Sequence, residues 1–487
     1  MAISSQGIGS GIDVNSIVTQ LGAIERQGLK PLQAKASTFQ SQLSLYGKIK
    51  SQASTLGDAA ANLSLSSGWS IPKGTSSNSA AVGVTATTGA AASALSVEVS
   101  QLARGQSSAT VAQTAGAELG SAGTLTISLG TWTDGLTDRT FLEDVTKTAV
   151  AVSVVSTDTL ATLAEKINAA SAGVTASVLK DGDTERLMFR SSSTGAASGF
   201  AVAASTTELD NFSLKTPVSK SATDGSVSGM FISQTAQSAK VSINGISVTS
   251  TTNTLADAVP GVSLSLNQVT TAPAEITITN DLDAVKGKIQ AVVDAYNTLN
   301  QTLMDATKYD AATKKGAPLQ GDSMTLGLQS AMRSMLSSQT LVGTKSDGSG
   351  GLTGDYRTLS SIGIERQTDG SLKVNSSKIT TALSTLSDIQ KVFTINNSDT
   401  GTNGFALKIR DFSRGLVAFD GRVTTRSTGI QKSITNNLSD QDRVNARADR
   451  VEASLRKQYT ALDTQMSQMG GLTSFVSSQI AQWNKSS

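Results

Sequence analysis

From Val444 to Met469 the apolar residues return at steps of three and four: Val444, Ala448, Val451, Leu455, Tyr459, Leu462, Met466 and Met469. That spacing draws one narrow apolar seam along a helix, as in a coiled coil. Asp440 or Ser439 is placed to cap its start. Gly470-Gly471 is expected to interrupt it before Leu472, Val476, Ile480 and Trp483 restart the stripe. Such a helix, from Asp440 to Trp483, extends roughly 65 Å. A small domain is narrower than that, so the chain's own globular part cannot cover the whole seam. Each seam residue gains about 1.5–3 kcal/mol on burial, and without a cover the ends fray. Two covers are open: an antiparallel pairing of the two chain ends, or a bundle with other molecules.

The N-terminal end carries a matching pattern. Ile17, Leu21 and Ile24 recur at helical steps, with Asp13 or Asn15 able to cap them. After Gly28 and Pro31 the pattern resumes through Leu32, Ala36, Phe39, Leu43 and Tyr46 and fades toward Leu56 and Leu63. Between the ends the grammar changes. From Ser70 to Asn280 the chain is rich in Ser, Thr, Gly, Val and Ala, with period-two stretches such as Leu95–Val99 and Lys240–Ile243 that read as half-buried strands. Two segments repeat a unit of strand, short Thr-Leu-Ala helix and return strand. One runs from Ala149–Val155 through Thr159–Asn168 to Gly173–Val178. The other runs from Val241–Val248 through Thr254–Ala258 to Val262–Leu266. After Asn280 helix returns, with one apolar face from Val285 through Ile289, Val292, Tyr296 and Leu299 to Leu303, and a shorter one from Leu326 to Leu336. Ser361–Ile364 and Asp369–Val374 then read as a hairpin turning on Asp-Gly. The layout of helix, β-rich middle, mixed region and helix suggests nested insertions.

Chemistry is scarce. With no Cys and no His in 487 residues, Ser-His-Asp and Cys-His catalysis, redox dithiols and zinc sites are excluded. Gly7–Gly11 is glycine-rich but lacks the preceding strand and the Lys of a phosphate-binding loop. Ser177-Val-Leu-Lys180 and Ser454-Leu-Arg-Lys457 match a Ser-x-x-Lys pattern without the further motifs a Ser-Lys hydrolase needs. Asp181–Glu185 fails as a calcium loop for want of its Gly and Glu; it reads as a solvated turn. Asp281 and Asp283 open a helix, where carboxylates suit the dipole. No catalytic, cofactor or metal site is expected. Lys+Arg of 40 against Asp+Glu of 38 gives a net charge of +2, unsuited to a phosphate backbone. The Arg residues at 443, 447, 450 and 456 interleave with Asp442, Asp449 and Glu452, as on the solvated flank of a coiled coil. No stretch approaches a membrane span. Met1–Ile12 has no basic residue and the first cation is Arg26, so no Sec or twin-Arg signal is expected.

The ordered motifs carry a resemblance. Ile8-Gly-Ser-Gly-Ile-Asp-Val-Asn-Ser-Ile-Val-Thr-Gln-Leu21 with Ala23–Arg26, Ser96–Ala103, Asp294-Ala-Tyr-Asn297, Leu319-Gln-Gly-Asp322 and Tyr459–Asp463 with Met466 and Met469 resemble the bacterial flagellar filament-capping (hook-associated protein 2) family. The Thr-Leu-Ala units resemble a small motif of flagellin and hook-associated proteins. The chain departs from the family in Gly22, Gly28, Asn375 and Tyr459; the two glycines are expected to loosen the N-terminal helix.

The resemblance implies an α+β multidomain fold. Long terminal coiled-coil-type helices are expected at 1–45 and 431–487, and a mixed helical/β domain at 46–74 and 276–430. One β-rich outer domain is expected at 75–108 and 236–275, with a second, at 109–235, inserted in it. It implies a non-enzymatic assembly factor, exported through the flagellar secretion apparatus without a cleaved signal and forming an oligomeric cap at the distal filament tip. Pentamers are common in the family and other ring sizes occur. Expected partners are further copies, flagellin, hook–filament junction proteins and an export chaperone at the C-terminal helix; no nucleic acid is expected. The expected interface residues are Ile17, Leu21, Ile24, Leu32, Phe39, Leu43, Val444, Val451, Leu455, Tyr459, Leu462, Met466, Met469, Val476 and Ile480. A second reading, from another class, is a surface adhesin whose β-rich head binds glycan or host protein; a Ser-Lys hydrolase is a third.

Overall fold

The structure, a computed structural model, describes residues 13–134, 138–214, 218–219, 229–340, 356–397 and 400–484; the glycine-rich segment Gly7–Gly11 lies outside them. Its helices are α1 (Val14–Glu25), α2 (Leu29–Ser64), α3 (Leu160–Ala169), α4 (Leu282–Thr307), α5 (Ser323–Ser337), α6 (Ser376–Leu383), α7 (Leu386–Thr394), α8 (Phe405–Val417) and α9 (Arg422–Trp483). Two compact units emerge: Met1–Trp69 with Asp283–Ser487, and Ser70–Leu282. The fold is α+β, with long terminal helices and a β-rich insertion between them.

In the helical unit the core sits on the second half of α2. Tyr46, Ile49, Ala53, Leu56, Ala60 and Leu63 are fully buried, so the pattern strengthens where the sequence reads as fading. The small residues Ala53, Gly57 and Ala60 explain this: they let α8 pack close, with Gly57 facing Ser413. On α4 the expected face from Val285 to Leu303 is buried. The hairpin Ile364–Arg366 with Leu372–Val374 forms as expected, held by α4: Asn297 donates to the Leu372 carbonyl at 2.8 Å and accepts from its amide at 2.7 Å, and the Tyr296 hydroxyl donates to the Gly370 carbonyl at 3.2 Å. Gly370, at φ +82°, supplies the left-handed turn residue. Trp69, fully enclosed, donates its indole N–H to the Leu63 carbonyl at 2.9 Å and lies 5.2 Å from the Phe393 ring.

The β-rich unit has two cores. One lies between a five-stranded antiparallel sheet, ordered 72–76, 274–280, 93–101, 239–243, 246–250, and a three-stranded sheet of 254–259, 262–266 and 82–86. The other joins α3 to sheets built on Thr184–Ser191 and Gly123–Asp134. The chain passes into the second core and back through one two-stranded crossing: Arg104 and Gln237 exchange backbone hydrogen bonds of 2.8 and 3.0 Å. Just beyond it the buried Gln106 side chain accepts from the Phe200 amide at 2.9 Å and the Trp132 indole at 2.8 Å, and donates to Ser108 at 2.9 Å.

One expected repeat unit forms and the other does not. Val150–Val154, α3 and Val174–Asp181 make strand, helix and return strand, with Thr159 and Thr162 closing a capping box. Thr254–Val259 is a strand instead of a helix. Only five residues precede Val259-Pro260-Gly261, and Pro260 bars the helical region for Val259. Too few residues remain for a helical nucleus.

Candidate assembly interface

Asp13 caps α1, accepting from the Ser16 amide at 2.9 Å. The helix lies antiparallel on α9, and the residues buried there are Val14, Val18 and Gly22. Ile17 is half-buried, while Leu21 and Ile24 are exposed. The helix is apolar over a wide arc, and two features choose the inner side. Gly22 lies directly under the Glu452 carboxylate, where any Cβ would collide with it. Ion pairs then flank the contact: Arg26 with Asp449 at 2.6 Å and with Glu452, and Arg447 with Glu25 at 3.1 Å. Arg456 also donates to the Asn15 side chain at 3.2 Å. Solvent-screened pairs of this kind add little stability, so they set register more than strength. Gly22, expected to loosen this helix, is what admits Glu452.

α9 departs from expectation at both ends. It starts at Arg422, after Gly421, instead of at Asp440, because Val423, Ile430 and Ile434 are buried and extend its inner stripe. It also runs unbroken through Gly470-Gly471. Two glycines cost roughly 1 kcal/mol each against Ala, which weakens a helix without forcing a break.

The expected interface residues divide into two sets. Val444, Val451, Leu455 and Tyr459 on α9, and Leu32, Phe39 and Leu43 on α2, are half-buried within the subunit, and Ala448 is fully covered. Among the described residues cover ends after Tyr459. Leu462, Met466, Met469, Leu472, Phe475, Val476 and Ile480 are between 41% and 70% exposed. Asp463 is the only charged residue from Gln458 to Asn484, so this half of the helix lacks the side-chain ion pairs that stabilise an isolated helix in water. It presents about 36 Å of apolar stripe. Phe475 was not singled out by the periodicity because it sits beside Val476, outside the strict seam.

A buried polar node joins three helices near the start of α9. Asp322, the N-cap of α5, accepts from the Thr325 amide at 2.9 Å, the Tyr46 hydroxyl at 2.6 Å and the Arg426 guanidinium at 2.7 Å. Burial alone would push its carboxyl up, but these donors outweigh it and hold it below the usual carboxylate range. A depressed folded-state value adds stability that is present above the unfolded value, near 4, and is lost as pH falls through the folded one. Asp322→Asn is therefore expected to destabilise the helical unit by about 2 kcal/mol at pH 7. In urea titrations its gap to the wild type narrows below about pH 4; a gap that stayed constant down to pH 2 would refute this. The Asp-x-x-Thr capping signal was visible in the sequence; its partners, at positions 46 and 426, were not.

The catalytic candidates separate. Ser177 and Lys180 lie three apart on the strand Val174–Asp181, which sends their side chains to opposite faces. Ser454 and Lys457 are exposed on α9. Among the described residues no cluster of three acidic, His or Cys side chains exists that could hold a metal ion, and no helix is long and apolar enough to cross a membrane.

Comparison with known proteins agrees with this architecture. Residues 236–471 match the family model of the flagellar hook-associated protein 2 C-terminus, residues 10–106 that of its N-terminus, and residues 138–193, which contain α3, the flagellin hook IN motif. Flagellar hook-associated protein 2 of Escherichia coli (strain K12) is 30% identical over 506 residues, covering 98% of each chain. The A-type flagellar hook-associated protein 2 of Pseudomonas aeruginosa is 29% identical over 95% of this chain and 94% of that one. The crystal structure of the D1-D2-D3 domains of the E. coli flagellar cap protein FliD superposes with a TM-score of 0.56 at 27% identity, covering 80% of this chain and 99% of that one. On fold, on motif order and on full-length similarity, the chain belongs to the flagellar hook-associated protein 2 family, a family of structural proteins of the bacterial flagellum and not of enzymes.

Proposed function

We propose that this chain forms an oligomeric cap at the distal tip of the flagellar filament. There it guides flagellin subunits into place and keeps them from diffusing away, so that the filament elongates and the cell swims. The observation that carries the reading is the bare part of α9 beyond Tyr459: an apolar-striped helix with a single charged residue, Asp463, is suited to burial against other copies, flagellin or the hook–filament junction at the end of the structure. Export fits the composition. No disulfide can form, and small polar residues dominate, which eases passage of an unfolded chain without a cleaved signal. The same bare stripe suits an export chaperone before assembly.

The test is complementation. In a motile bacterium lacking its own filament-capping gene, expression of this chain is expected to restore filaments and swimming and to return flagellin from the medium to the cell surface. Continued flagellin release, with the chain itself exported, would overturn the reading.

A further inference from the structure

The two cores of the β-rich unit are separate clusters of buried side chains among the described residues. Two such bodies joined by a short crossing ordinarily move against one another. At this crossing polar groups hold them. Only one bridge, Arg104 with Gln237, links its two strands there, and side-chain amides take up the backbone groups on either side. Gln101 donates to the Ser238 carbonyl at 2.7 Å, Gln237 to the Leu102 carbonyl at 2.9 Å and Gln234 to the Gly105 carbonyl at 2.8 Å. Asn253 accepts from the Ala103 amide at 2.7 Å and donates to the Ala103 carbonyl at 3.0 Å. All four amide side chains are half-buried, which limits competition from water.

A two-stranded ribbon fastened in this way can still bend and twist, and a third support opposes that. Segment 193–196 of the second core lies against the first. The Thr194 hydroxyl donates to the Thr251 carbonyl at 2.7 Å, the Gly195 amide to the Arg104 carbonyl at 3.2 Å and the Ala196 amide to the Ser238 hydroxyl at 3.1 Å. Thr251 follows the strand Ile246–Ser250, whose Ser250 pairs with Ala239. It therefore sits one strand spacing, about 4.8 Å, to the side of the crossing. Two glycines admit the close fit. A Cβ on Gly195, at φ +104°, would lie 2.9 Å from the Thr251 Cβ, and one on Gly105 would lie 2.8 Å from the Ser193 carbonyl oxygen. No ionised side chain takes part in these bonds, so neither salt nor pH near neutrality loosens them.

We propose that this amide-laced joint makes the two cores one rigid arm, so that a displacement of either core is carried to the other. The rigidity follows from the bonds alone. Its use rests on the cap reading: an arm that does not flex passes the movements of the cap along its length as flagellin subunits enter.

The chain has no cysteine, so a spin label can be placed on each core. In the full-length Thr85→Cys/Ser153→Cys chain both labels stand at exposed strand positions, one per core. Pulsed electron paramagnetic resonance is expected to give one narrow distance distribution, the same at low and high salt. Adding Gln237→Ala and Asn253→Ala is expected to roughly double its width. The circular dichroism spectrum should not change, since neither residue belongs to a core cluster. Thr194→Val, which removes only the off-axis hydroxyl bond, gives a milder broadening and serves if the double variant does not fold. A broad or two-peaked distribution in the chain that keeps all its amides would overturn the rigid arm, and so would a folded double variant as narrow as its parent. In the complemented capless strain the loosened variant is expected to be exported and to swim poorly. Normal swimming with broadened distances would overturn the use of the rigidity. Failure of the unmodified chain to complement would instead count against the cap reading, and the distances would still decide the arm.

Discussion

Placing aspartate at Leu472, Phe475, Val476 and Ile480 together is expected to abolish filament growth while leaving the folded subunit intact. All four side chains are exposed in the single subunit, so the substitutions remove no internal packing, and surface changes of this kind usually shift stability by less than about 0.5 kcal/mol each. In the cap proposed above the same side chains become buried. Each then contributes about 1.5–3 kcal/mol, and a carboxylate in its place adds a desolvation penalty. A loss of that size across four positions exceeds what an assembly contact retains. Thermal unfolding of the variant should match the wild type, its secreted level should be similar, and cells should release flagellin and fail to swim. The conservative control, alanine at the same four positions, should give an intermediate defect.

The largest effect on stability is expected at Trp69. Its ring is enclosed against Phe393, its indole N–H is bonded to the Leu63 carbonyl, and Lys288 caps the neighbouring Gly68 carbonyl at 2.9 Å. Trp69→Ala leaves a large cavity and orphans a carbonyl, a cost of about 3–5 kcal/mol. Calorimetry of the full chain should show the transition of the helical unit shifted down by roughly 10 °C. The transition of Ser70–Leu282, which has its own two cores, should stay in place. A shift of both transitions together would show that the chain unfolds as one cooperative block.

Much of the fold was legible because it is written in local periodicity. The three- and four-residue steps of Val285–Leu303 and Val444–Tyr459, and the alternation of Leu95–Val99, depend only on which side of an element meets the core. The errors arose where two local solutions were close in energy. α1 has apolar residues on both Ile17/Leu21/Ile24 and Val14/Val18, and only the ion pairs to α9 and the room left by Gly22 select the second. Thr254–Val259 repeats the composition of a helix that forms elsewhere in the chain, but Pro260 removes the residues needed to nucleate it. The first five turns of α9 are rich in Ser, Thr, Asn and Gln, and their few apolar residues become significant only when α2 and α8 are beside them. The Tyr46–Asp322–Arg426 node was out of reach for the same reason: its members lie far apart in sequence, and only tertiary packing unites them. The bare stripe beyond Tyr459 was visible as a seam, but its lack of cover among the described residues emerges only from the tertiary structure, where Asn15, near the start of α1, lies beside Arg456.

The central claim is that this chain works at the free end of the filament, with its uncovered terminal helix buried in the assembly. The most direct measurement is to label the chain in the complemented capless strain and image whole filaments by electron microscopy. The account predicts label confined to the distal tip of each filament, one cluster per filament, and none in cells carrying the four-aspartate variant. Label distributed along the shaft, or confined to the hook end of filaments that grow normally, would contradict it.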